Sequence, residues 1–164
     1  MQVDARTQYL DLYRRETATT LKVLREFDAT KPHFKPAEKS NTALNLAWTF
    51  NVEQGLVLMA LNNAVDFTKG FPPAPATFGE AVAAYEASSK AVDEAMSSAT
   101  DAQLAQEIDM PTGKNQMGKM RAIDIAWMML LDSVHHRGQF SVYLRMNECR
   151  VPSIYGPSLD EPWR

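Results

Sequence analysis

Four long stretches of this chain place apolar residues three and four apart, and no stretch alternates with period two over the length of a strand. That contrast constrains the fold more than any other feature, because period 3.6 buries one face of a helix and period two buries one face of a sheet. The first helix is expected over residues 4–27, with Asp4 as its cap and Leu10, Tyr13, Thr17, Leu21 and Leu24 at helical spacing. Pro32 and Pro36 break the linker that follows. Ser40 or Asn41 opens a second helix running to residue 67, with Leu46, Thr49, Glu53, Leu56 and Ala60 on one face. After the break at residues 70–75, the Thr77-Phe78-Gly79-Glu80 capping box starts a third helix that lasts to Ser98. Residues 100–103 cap one short extra turn, and residues 107–119 read as a loop marked by Pro111 and Gly113. The fourth long helix covers residues 120–147, and a proline-bearing tail, residues 148–164, is expected on the surface. Four amphipathic helices predict an all-α fold, an antiparallel four-helix bundle. The first linker is longer than a tight hairpin needs and is expected to cross the end of the bundle.

With 164 residues the chain is expected to form one domain over residues 1–164. Its 17 Lys and Arg against 20 Asp and Glu leave a net charge of −3. With no basic helix face, that balance argues against a nucleic-acid partner. The longest apolar runs, residues 56–61 and 126–131, fall far short of the roughly 20 residues that span a bilayer, so no membrane partner is expected. The first six residues carry no apolar signal region, and a cytoplasmic location is expected. A lone cysteine, Cys149, excludes CxxC zinc and redox motifs, which leaves His, Asp and Glu as the metal ligands available.

The fourth helix is apolar on nearly every side from Ile123 to Leu131, Asp124 excepted. A helix of that kind needs a partner as well as its own bundle, which points to a homodimer. Into this stretch the sequence sets Asp132, His135 and His136. Asp132 and His136 are four apart and share a face, while His135 points about 100° away. Glu53 is a matching polar intrusion in the second helix. If the two faces meet, Glu53, Asp132 and His136 converge, and two carboxylates with one imidazole suit Mn, Fe, Ni or Zn. The plainer arrangement has Asp132 hydrogen-bonded to His136 and Glu53 paired with an arginine. His33 falls in a loop and is expected at the surface.

Other motifs carry less. Residues 113–120 nearly spell a phosphate-binding loop, but Met120 replaces the magnesium-binding Ser or Thr and no buried strand is expected before it. Ser133 and His135 lie two apart and do not face each other, which disfavours a nucleophile pair. Cys149 falls at a helix C-terminus, where the dipole disfavours the thiolate. Met128 and Met129 read as core filler. Gly138 is expected to mark a close helix approach.

The run His135-His136-Arg137-Gly138-Gln139-Phe140-Ser141-Val142-Tyr143-Leu144-Arg145, with Val151-Pro152-Ser153-Ile154-Tyr155-Gly156-Pro157-Ser158 after it, resembles the C-terminal part of the DinB family, the DinB/YfiT-like superfamily. The stretch from Leu46 to Glu53 resembles that family's ligand-bearing segment. The resemblance implies a four-helix bundle, often dimeric, with a divalent metal such as nickel or zinc held by three histidines. Carried over by position, those ligands fall at Thr49, Asp132 and His136, of which only His136 is a histidine here. Asp132 can still ligate, Thr49 is left to line the pocket, and Glu53, one turn from Thr49, can compensate. The resemblance further implies a thiol-dependent transferase-type metalloenzyme acting on a small molecule. Its counterpart is a non-catalytic dimeric bundle whose site is degenerate and free of metal.

Overall fold

The computed structural model describes residues 4–163; Met1, Gln2, Val3 and Arg164, at the edges of the expected domain, lie outside the described residues. Its elements are α1 (Ala5–Arg25), α2 (Ala43–Leu61), a 3-10 turn (Phe67–Lys69), α3 (Phe78–Ser98), α4 (Asp101–Ala105), β1 (Glu107–Gly113), β2 (Gln116–Arg121) and α5 (Ala122–Met146). The helix starts follow local capping chemistry. Asp4 accepts from the Thr7 amide, Thr42 from the Asn45 amide, and Thr77 with Glu80 forms a reciprocal capping box, as does Thr100 with Gln103. The second helix thus opens at Thr42 rather than Ser40 or Asn41, and it ends at Leu61 rather than residue 67.

The four long helices pack as a bundle, each on two others: α1 and α2 both contact α3 and α5, and the expected antiparallel arrangement holds for only two of those four contacts. Two apolar layers set its direction. One joins Tyr9, Leu10 and Tyr13 of α1 to Leu56–Leu61 of α2, Val92 and Met96 of α3 and the start of α5. The other joins Val23 and Leu24 of α1 to the start of α2, Phe78–Tyr85 of α3, and Phe140, Tyr143 and Leu144 of α5. The helices therefore run up, down, down, up. The antiparallel contacts are α1 with α3 and α2 with α5, whereas α2 with α3 and α1 with α5 run parallel. The parallel pair α2/α3 needs a connection that travels back along the bundle, and residues 62–77 do so: the Trp48 indole donates to the Pro72 carbonyl at 2.8 Å. Residues 26–42 cross between the diagonal helices α1 and α2.

Between the two apolar layers lies a polar waist. Its buried members are Glu16 and Thr20 of α1, Asn51, Glu53 and Gln54 of α2, Ser89 of α3, and Ser133 and Arg137 of α5. Every helix thus reads apolar, polar, apolar along its buried face.

Residues 107–119, expected as a loop, instead form most of an antiparallel hairpin with Glu107 opposite Arg121 and Met110 opposite Gly118. Ile108 and Met110 point into the core and anchor it. Asn115 takes the left-handed backbone conformation at its tip (φ 59°), and a side chain at position 118 would meet Thr112 Cγ2 at 2.8 Å, which accounts for Gly118. The phosphate-loop-like run is therefore a hairpin turn and strand. Gln106 holds the hairpin to the bundle by donating to the last carbonyls of α2, Ala60 at 2.6 Å and Leu61 at 3.0 Å. Gly138 does not mark a close approach, since a methyl group there would meet nothing within 4 Å. No helix among the described residues is long and apolar enough to cross a membrane.

The tail is more than a surface strand. Pro152 is buried, and the Tyr155 phenol reaches into the waist. It accepts from Arg137 Nη2 at 2.6 Å and donates to Glu16 Oε2 at 2.7 Å. Asp160 and Glu161 pin the rest to Arg145, Arg150 and Lys22.

Candidate metal centre

The site grows from the antiparallel seam between α2 and α5. Helical spacing puts Asp132, Ser133 and His136 on adjoining positions of one side of α5, three and four residues apart. The facing residue of α2 is Glu53, which is only 3% exposed. An isolated buried carboxylate is strongly unfavourable, so it requires donors. Glu53 has two: His136 Nδ1 lies 2.6 Å from its Oε1, and the Ser133 hydroxyl donates to its Oε2. Asp132 Oδ2 stands 3.9 Å from His136 Nδ1, on the solvent side of the ring. Phe50 meets the His136 ring edge-on at 6.3 Å and closes the inner side.

The electrostatics follow from this placement. Burial pushes the Glu53 carboxyl above its ordinary value, with the hydrogen bonds from His136 and Ser133 pulling the other way. The Glu53 hydrogen bond raises His136, against its partial burial, and the nearby Asp132 charge adds to the rise. Because Nδ1 faces the carboxylate, Glu53 orients the imidazole.

Glu53, Asp132 and His136 each offer one ligand atom, and the three atoms lie within 4.8 Å of one another. The structure therefore brings these three together. It does not pair Glu53 with an arginine, and Asp132 is not the hydrogen-bond partner of His136. Thr49 donates its hydroxyl to the Asn45 carbonyl at 3.1 Å, one turn back along its own helix. His135 faces outward, with Nε2 2.8 Å from the Gln139 amide. His33 is exposed, as expected.

Two groups were not singled out in the sequence. One is Ser133, whose spacing of three from His136 is the signal that places both against one α2 residue. The second is the Arg137 network. Arg137, 1% exposed, donates to Glu16 Oε2 at 2.6 Å and to the Glu16 carbonyl at 3.1 Å. Its Thr20 and Tyr155 contacts complete a buried ion pair beside the candidate centre.

The comparisons agree with this architecture. The family model of the DinB superfamily matches residues 12–140. A crystal structure of a DinB-like protein from Bacillus cereus superposes with a TM-score of 0.73 at 23% identity, covering 90% of this chain and 95% of that one. A DinB-like protein from Bacillus subtilis superposes with a TM-score of 0.71 at 15% identity, covering 94% and 99%. No curated protein matches the chain.

Proposed function

Because this chain belongs to the DinB superfamily, we propose that it is a single-domain protein that holds a divalent metal ion between Glu53, Asp132 and His136 and uses it on a small-molecule substrate. The observation that carries this reading is the convergence of three ligand atoms within 4.8 Å from two facing helices. The donor set fits: two carboxylates and an imidazole suit Mn, Ni or Zn, and a cation would compensate the buried Glu53 charge. When bound, the ion would supply a Lewis acid that lowers the pKa of a coordinated water or thiol.

The chain's own residues do the rest. Ser133 fixes the Glu53 carboxylate, Glu53 fixes the His136 ring, and the half-exposed Asp132 leaves the site open toward solvent. Thr49, one turn from Glu53, lines the approach. Metal loading must displace the proton that Glu53 and His136 share, so affinity falls as the pH is lowered. Thiol-dependent transferase-type chemistry is the reaction class that the family resemblance supports.

A second reading has its own observation. Both Glu53 oxygens already have partners, in His136 and Ser133, so the group is also satisfied as a metal-free structural pair within a non-catalytic bundle. Elemental analysis of protein purified without a metal-affinity column, before and after dialysis against Zn, Ni and Mn, separates the two. Near-stoichiometric metal that His136→Ala abolishes and His135→Ala retains is the expected result. Less than about a tenth of an equivalent after dialysis would overturn the metal reading. We also propose a cytoplasmic homodimer whose interface includes Leu131 of α5, which is 62% exposed although its apolar neighbours Ile123, Ile125, Ala126 and Leu130 are buried within the chain. A monomer in light scattering at micromolar concentration would contradict it.

A further inference from the structure

A groove of about 410 Å³ opens between the linker before α2 and the second half of α5. Pro36, Lys39, Asn41, Gln139, Val142 and Tyr143 line it. Its position relates it to the candidate metal centre. Tyr143 follows His136 by seven residues, two turns along the same face of α5 and about 10 Å along its axis. Gln139 fills the interval, and Thr49 and Asn45 occupy the corresponding interval of α2.

The walls are pre-formed. The Tyr143 phenol donates to the Asn41 carbonyl at 2.7 Å, and Phe34 packs edge-on against the Tyr143 ring. The first amides of α2 are already taken: Ala43 donates to the Phe34 carbonyl at 2.8 Å and Leu44 to the Pro32 carbonyl at 2.9 Å. A helix-terminus anion site is therefore closed, and the cationic group that lines the groove is Lys39. Lys22, Lys31, Lys69, Lys90 and Lys119 each pair with a carboxylate, and Lys35 donates to the Glu38 carbonyl. Lys39, like Lys114 at the hairpin tip, forms no ion pair among the described residues, and of the two only Lys39 lines the groove.

We propose that this groove binds the body of a small elongated substrate whose anionic end, a carboxylate or a phosphate, pairs with Lys39 while its reacting end lies at Glu53, Asp132 and His136. The assignment of the reacting end rests on the metal reading above. The charge layout explains the polarity of binding, because two carboxylates stand at one end of the seam and an unpaired ammonium at the other. Pro36 and Val142 supply apolar contact for an alkyl body, and Gln139 and Asn41 supply amide partners for polar groups along it.

The test titrates octanoate, octyl phosphate, octanol and sebacate into the protein with and without zinc, reading the Gln139 side-chain amide by NMR and the affinity by calorimetry. The anionic probes are expected to shift the Gln139 amide, and the tighter of octanoate and octyl phosphate identifies the head group. Lys39→Glu is expected to weaken both by about tenfold while leaving zinc affinity unchanged. With zinc bound, sebacate is expected to exceed octanoate, because its second carboxylate reaches the metal. Octanol binding as well as octanoate, or indifference to Lys39→Glu, would overturn the groove assignment even if zinc binds normally. Absence of zinc binding with the Lys39-dependent shifts intact would sink the metal reading and leave the anion groove standing. Equal affinity for sebacate and octanoate on zinc-loaded protein would overturn the proposed reach to the cluster.

Discussion

Replacing Glu53 with Gln probes the charge at the centre of the waist, and the structure fixes both the size and the pH dependence of the effect. In the folded chain both partners of the Glu53–His136 contact are shifted upward, the carboxyl by burial and the imidazole by the carboxylate. The native state therefore holds protons more tightly than the unfolded chain. The stability this provides is fully present below the unfolded values of 4.5 and 6.5 and is lost as pH rises through the raised folded values. The amide of Gln is nearly isosteric and retains a neutral hydrogen bond, so the loss is the charge-assisted part of the contact. Such a bond contributes about 1.5–3 kcal/mol, and relief from burying a charge offsets part of it. In chelator-treated protein Glu53→Gln should cost about 1–2 kcal/mol near pH 6, where the imidazolium is present. The penalty should shrink as the pH rises through the raised folded value of His136, beyond which a neutral imidazole no longer compensates the buried carboxylate. Urea unfolding at several pH values measures this directly, with His136→Ala as the control that should lack the slope. A Glu53→Gln penalty that stays constant or grows with pH would show that some group other than His136 holds the carboxylate ionised.

Three further substitutions probe the waist and α5. Glu16→Ala strips the carboxylate from a guanidinium that is 1% exposed and should cost about 3–5 kcal/mol. Tyr155→Phe removes only the bridging hydroxyl and should cost about 1–2 kcal/mol; denaturant melts that reverse this order would contradict the ion-pair account. Gly138→Ala should stabilise the protein by about 0.5–1 kcal/mol, because the position is helical and a methyl group there meets nothing within 4 Å. A destabilised Gly138→Ala variant would show that the surface at Gly138 is covered in solution.

The helices were legible because their apolar residues recur at a single period and their caps are local, as at Asp4, Thr77 and Thr100. The hairpin was not, because only Ile108 and Met110 of its two strands are buried, too few to register as alternation, and Pro111 sits beside them. The direction of α3 was hidden for another reason. It depends on residues 62–77 running back along α2, and nothing in that stretch announces its contact with Trp48. At the site, Glu53, Asp132 and His136 stood out as polar breaks in apolar stripes. Arg137 did not, because its partner lies 121 residues away on α1 and a lone arginine in a helix reads as a solvated one.

The same polar breaks that mark the site also fix the register of the bundle. If α5 slid one turn along its axis, the residue facing Glu53 would change from His136 to Phe140 or Asp132. In the first case Glu53 loses His136 and Arg137 moves to the place of Ser133 beside it, and in the second a carboxylate buried to 3% meets a like charge. Either slide would set Ser141 or Ser133 opposite Glu16 in place of Arg137, stranding the buried Glu16 carboxylate. Each buried ion left uncompensated costs several kcal/mol, comparable to the whole stability of a domain this size when two occur together. The apolar layers above and below lack that discrimination, since a turn's slip there exchanges one hydrophobic side chain for another, as Ile123 for Trp127 or Phe140 for Leu144. The waist is therefore where register is specified, and the candidate metal centre inherits its alignment from the interactions that keep α2 and α5 from sliding.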